Sequence, residues 1–135
     1  MAARYRFCAN DIVVADGRIV YTQWLNDRGG IEADLTVTRL SRDCFLIVGG
    51  AETEVRDFYW LKSHIPAQAH CVLTNVTSGM GVISLMGPGS RDLLQRLTPA
   101  DVSHEAFPFA SSQEIELGYA LVRASRITYV GELGW

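Results

Sequence analysis

From Ile31 to Thr38 apolar and polar residues alternate without a break, with Ile31, Ala33, Leu35 and Val37 on one side and Glu32, Asp34, Thr36 and Thr38 on the other. A period of two marks a strand with one buried face. Just before it stands Asn26-Asp27-Arg28-Gly29-Gly30, where Asn and Asp tolerate left-handed backbone and the glycines supply positive φ. The β-branched and aromatic run Ile19–Leu25 precedes that turn, so the pattern predicts a hairpin. Cys44–Val48 adds a third strand, stopped by Gly49-Gly50. Such a meander needs another element laid over its apolar face.

The following residues offer one. Ala51, Val55, Phe58, Tyr59 and Leu61 fall near one side of a helical pattern whose first turn is acidic, and the helix is expected to stop before Pro66. His70–Asn75 and Gly81–Met86 read as strands. Gly87-Pro88-Gly89-Ser90 opens a second helix with Leu93, Leu94 and Leu97 as its stripe, closed by Thr98-Pro99. Gln113–Leu117 and Tyr119–Thr128 read as two more strands. This order predicts an α+β fold, a mainly antiparallel sheet with two helices on one side. Residues 1–16 read as a lead-in and 17–135 as the domain. The end at Gly131–Trp135, without a closing helix or polar tail, reads as a truncation.

Composition narrows the function. The chain has 135 residues, 48% hydrophobic and 20% charged, with a formal net charge of −3. No Lys/Arg cluster offers a nucleic-acid surface, and no apolar run reaches the roughly 18 residues of a membrane span. Cys8, Cys44 and Cys71 are widely spaced and odd in number, which fits neither a disulfide framework nor a zinc site. Cys44 and Cys71 are expected to pack as small apolar groups in strands. His64, His70 and His104 lack ligand spacing and read as surface or core-edge residues, so no metal site is expected. Gly79-Met80-Gly81 and Gly87-Pro88-Gly89 complete no phosphate-binding fingerprint and serve as turns.

Two places carry more than structure requires. Asp34 sits in a strongly β-forming run although Asp is depleted in strands. It is either a solvent-facing residue on the polar side or a carboxylate held rigidly to orient an amine. In Tyr129-Val130-Gly131-Glu132-Leu133-Gly134 an aromatic ring and a carboxylate stand on a glycine-flexed turn. That segment is either a plain connection or a place to stack on and hydrogen-bond a flat heterocycle.

These same stretches carry a resemblance. Leu25–Val37, with its Asn, its Gly-Gly pair and then an acid and Leu, resembles the signature of the aminomethyltransferase family, best known from the T-protein of the glycine cleavage system. Tyr129–Gly134 looks like the family's Tyr-x-Gly-Glu-x-Gly, and Leu85-Met86-Gly87-Pro88 is similar to its Leu-x-Gly-Pro at the head of a helix. Asp34–Leu40 looks closer to the folate domain of dimethylglycine and sarcosine dehydrogenases. The resemblance implies the ferredoxin-like middle subdomain of the T-protein fold with part of its neighbour. It also implies tetrahydrofolate as cofactor, a methylated amine as substrate, and an FAD domain elsewhere in the parent chain. The expected activity is capture of a one-carbon unit as 5,10-methylenetetrahydrofolate, in bacterial cytoplasm or mitochondrial matrix. By position, Asp34 matches the catalytic carboxylate and Glu132 the acid on the pterin, while Tyr129 lines that pocket and Asn26 shapes its rim. Relatives that assist iron–sulfur assembly carry a cysteine in the later motif, which Tyr129–Gly134 lacks. The alternative from another class is a regulatory or folate-binding α+β module without catalysis.

Overall fold

The structure, a computed structural model, describes residues 7–135; the first six residues of the expected lead-in lie outside the described residues. Three strands form first: β1 (Ile19–Leu25), β2 (Ile31–Ser41) and β3 (Cys44–Val48), joined as an antiparallel meander in that order. β2 therefore runs three residues past the alternating stretch. In the β1–β2 register Gln23 faces Asp34, Thr22 faces Leu35 and Trp24 faces Ala33. This puts Trp24, Ala33, Leu35 and Val37 on one buried face, as the period-two pattern requires.

The helix α1 (Glu54–Ser63) covers that face after a short 3-10 turn at Ala51–Thr53. Its contact stripe differs from the expected one. Of that stripe Leu61 meets the sheet, but Val55 and Tyr59 are exposed, and Trp60, outside the expected stripe, packs beside Leu61. Trp60 stacks on Trp24 with centroids 5.2 Å apart, and Phe7 packs edge-on to both rings. A ten-residue helix offers only two or three contact positions, and the widest ring takes the centre of the cover.

The second cluster gathers α2 (Ser90–Gln95) with β4 (Ser111–Leu117) and β5 (Ala120–Arg126), an antiparallel pair. Leu94, Val102, Phe107, Ile115 and Trp135 form its core. Of the expected helical stripe only Leu94 is buried; the six-residue helix turns Ser90 and Leu94 inward, leaving Leu93 exposed, and Leu97 lies exposed beyond its end. The two sheets meet at one corner, where Arg18 bridges Ser111 and Ser112 N donates to Gly17 O at 2.7 Å. Gly17 has φ +78°, and a Cβ there would lie 3.0 Å from Ser112 O. Glycine is therefore what lets the sheets close.

The α+β architecture with antiparallel sheets and two helices stands, but as two sheets, each with its own helix. The expected strands at His70–Asn75 and Gly81–Met86 do not form. Val72, Val82 and Ile83 are almost fully exposed, and the only strand-like pairing is Met86 with Gly134, beside mutual Leu85–Trp135 bonds. β-branched residues favour extended backbone, yet a strand exists only where a neighbour takes its hydrogen bonds. Among the described residues no neighbour runs alongside the rest of this stretch, ahead of Leu85. The cysteine expectation fails with it, since Cys71 is exposed there and Cys44 is exposed at the start of β3. Among the described residues no helix is long and apolar enough to cross a membrane.

Candidate functional site

Asp34 lies on the outer, exposed face of β2. Because the hairpin pairs Gln23 with Asp34 and Tyr21 with Thr36, the side chains of Tyr21 and Gln23 rise on the same face. Tyr21 O–H donates to Asp34 Oδ2 at 2.8 Å and Gln23 Nε2 donates to Oδ1 at 3.0 Å. Both oxygens are thereby fixed in direction while the carboxylate stays open to solvent. The hydrogen bond to Asp34 pushes the Tyr21 phenol above its ordinary range. Neither Tyr21 nor Gln23 was singled out from sequence. Their signal was the hairpin register, which places the residues three and five before Asn26 on the face of Asp34.

Asn26 is committed to the turn itself. Its Oδ1 accepts from the backbone N–H of Arg28 at 3.0 Å and of Gly30 at 2.9 Å, and its Nδ2 donates to Glu32 Oε1 at 2.8 Å. A Cβ on Gly30 would come 2.8 Å from that amide nitrogen. The residue acts here as an Asx latch on the hairpin.

Tyr129 and Glu132 occupy the C-terminal turn. Glu132 folds over its own loop, Oε1 accepting from Tyr129 N at 3.2 Å and Oε2 from Val130 N at 2.9 Å. These backbone bonds, that of Val130 foremost, hold its carboxyl below the usual range. The Tyr129 ring stands 96% exposed. Beside the turn opens a cleft of about 400 Å³, lined by Phe109, Arg126, Thr128 and residues 131–134. The four expected site residues thus fall into two groups. Asp34 and Asn26 belong to the first hairpin, Tyr129 and Glu132 to the last turn, and neither Asp34 nor Asn26 lines the cleft. Arg126, a cleft residue, also escaped notice; a lone charge within Ala124-Ser125-Arg126-Ile127 was its only sequence signal.

A family model described as the GCVT N-terminal domain matches residues 2–135, the whole of the meander, both helices and the C-terminal turn. The chain belongs to the GCVT N-terminal domain family. Among curated relatives, this GCVT domain is 42% identical to mitochondrial sarcosine dehydrogenase of Mus musculus, over 99% of this chain and 16% of that protein. It is 33% identical to the mitochondrial pyruvate dehydrogenase phosphatase regulatory subunit of Mus musculus, over 98% and 15% respectively. It is 36% identical to an aminomethyltransferase of Chlorobaculum tepidum, over 93% of the chain and 34% of that protein. The chain therefore spans about a sixth to a third of the length of these relatives.

Proposed function

We propose that this GCVT domain handles tetrahydrofolate within a longer enzyme that demethylates an N-methyl amino acid such as sarcosine or dimethylglycine. Residues 17–135 are part of its folate-binding unit, and capture of the one-carbon unit as 5,10-methylenetetrahydrofolate is the reaction. The observation that carries this reading is Asp34, a carboxylate anchored at both oxygens by Tyr21 and Gln23 yet open on the sheet's outer face. Anchoring removes rotamer freedom beforehand, which is what a group that orients a reacting amine needs. Ionised, Asp34 accepts the amine proton and offsets positive charge on the one-carbon donor.

The residues at the C-terminal turn suit a pterin. Glu132 stays ionised at neutral pH and retains lone pairs beyond the two it spends on its loop. The exposed Tyr129 ring offers a stacking face. Bound folate supplies the nucleophilic nitrogens that take up the carbon. Oxidation of the methyl group is assigned to an FAD domain elsewhere in the parent chain, whose sarcosine dehydrogenase relative is mitochondrial and whose aminomethyltransferase relative is bacterial.

Calorimetric titration with tetrahydrofolate under anaerobic conditions tests the reading. Micromolar binding, about −8 kcal/mol, weakened in Glu132→Gln, is the expected result. In the longer protein Asp34→Asn is expected to abolish folate-coupled product. Similarity to a phosphatase regulatory subunit favours a second reading, a non-catalytic module. On that reading tetrahydrofolate binding persists and Asp34→Asn changes no turnover.

A further inference from the structure

The last residues of the chain begin a ladder. Gly87 N donates to Leu133 O at 2.7 Å, and Met86 bridges Gly134 in the antiparallel sense. Leu85 and Trp135 exchange both backbone bonds, at 2.9 and 3.0 Å. In an antiparallel pair such mutual bonds recur at every second residue. Carried on, this register sets Ser84 opposite the first residue after Trp135, without bonds, and Ile83 opposite the second, with both. Ile83 is open to that pairing. Its N–H and C=O have no backbone partner among the described residues, and its side chain, like that of Val82, is almost fully exposed.

The side chains follow the same geometry. Leu85, Leu133 and Trp135 all belong to the second core cluster. With a period of two, Ile83 takes the Leu85 face of its segment, and the second residue after Trp135 takes the face of Leu133 and Trp135. The two stand side by side at the margin of that core, where an apolar pair buries both. The relatives carry far more chain than these 135 residues, which cover 16% of the sarcosine dehydrogenase and 34% of the aminomethyltransferase. A segment joined at Trp135 meets the edge at an effective concentration on the order of millimolar, an advantage that a second copy in solution lacks.

We propose that residues 81–84 are the docking edge for the parent chain's own next segment, which adds to them as an antiparallel strand with an apolar residue at the second position after Trp135. That such a segment follows rests on the longer protein proposed above. The added strand turns residues 81–86 from extended loop into sheet and covers Ile83. It also lengthens the ladder that holds residues 133–135, next to Glu132.

The test is a disulfide cross-link in the longer parent protein, without folate. Ser84→Cys is combined with a cysteine at the first position after Trp135, a pair without mutual bonds whose Cα atoms stand about 4.5 Å apart, within disulfide range. On mild oxidation this pair is expected to link at least tenfold faster than Ser84→Cys with a cysteine one position later, which points to the other face. Peptide mapping separates that link from any made by Cys8, Cys44 or Cys71. Equal rates or no link overturn the proposal. So does a link that forms between two copies instead, which makes a second copy the occupant. Should the double variants fail to fold, hydrogen exchange at the Ile83 amide decides. Protection of at least tenfold is expected in the parent protein, lost when a proline, which breaks a ladder, stands at the second position after Trp135. Free exchange, or protection that survives the proline, overturns the proposal. No folate takes part, so a failure here is separate from a failure of Asp34→Asn to alter folate coupling.

Discussion

The phenol of Tyr21 donates to Asp34 Oδ2 across 2.8 Å, one strand apart on the open face of the meander. The bond ties the ionisation of one residue to the charge of the other. An anionic acceptor holds the phenol's proton, which is why Tyr21 ionises above its ordinary range. Asp34→Asn is therefore expected to lower the Tyr21 ionisation midpoint toward the free value of about 10, read from phenolate absorbance against pH. The linkage has a sign. A proton held more tightly when folded stabilises below the unfolded tyrosine value, and that stability is lost as pH rises through the raised folded one. An unchanged midpoint in Asp34→Asn would remove the anchoring role given to Tyr21.

Asn26 is predicted to matter for stability before it matters for any ligand. Asn26→Ala removes two acceptor bonds to the turn and one donor bond to Glu32. The turn is solvent-exposed, so a cost of about 1–2 kcal/mol in urea unfolding is expected. Asn26→Asp should keep the two bonds to Arg28 N and Gly30 N and recover part of the loss. A variant as stable as the parent would return Asn26 to a role at a pocket rim.

The buried face of the meander predicts a larger loss. Trp24 is 2% exposed and packs between Phe7 and Trp60. Trp24→Ala is expected to cost about 3–5 kcal/mol by the cavity it leaves, measured by denaturant unfolding. Tyr59→Ala, on the outward side of α1, is expected to stay within about 0.5 kcal/mol. Equal losses would mean that Tyr59, not Trp60, covers the sheet.

How far the sequence reached follows from which forces are local. Alternation from Ile31 to Thr38 and the Asn26–Gly30 turn carry their own register, so the meander and the face of Asp34 were legible. Val72, Val82 and Ile83 have the same β-branched character, but their state depends on a neighbouring strand, which no propensity encodes. Tyr21 and Gln23 were within reach through register alone. The placement of Arg126 was not, because its burial comes from Phe107, His104 and Trp135 folding around it from distant positions.

Glu132 makes the final prediction, and its direction is opposite to that of Tyr21. Its carboxylate accepts from Tyr129 N and Val130 N, and those bonds depress its pKa. A depressed carboxylate contributes order that is present above the unfolded value and lost as pH falls through the folded one. The 128–132 turn should therefore loosen only in acid, below the ordinary glutamate range of about 4.3. The Val130 amide reports this directly, since its proton shift and exchange protection should change with a midpoint below that range. Glu132→Gln keeps an oxygen acceptor but not the charge, so its amide should show no acid midpoint and weaker protection throughout. A Val130 amide that ignores both acid and the substitution would free the Glu132 carboxylate from its loop and leave it wholly available to a ligand.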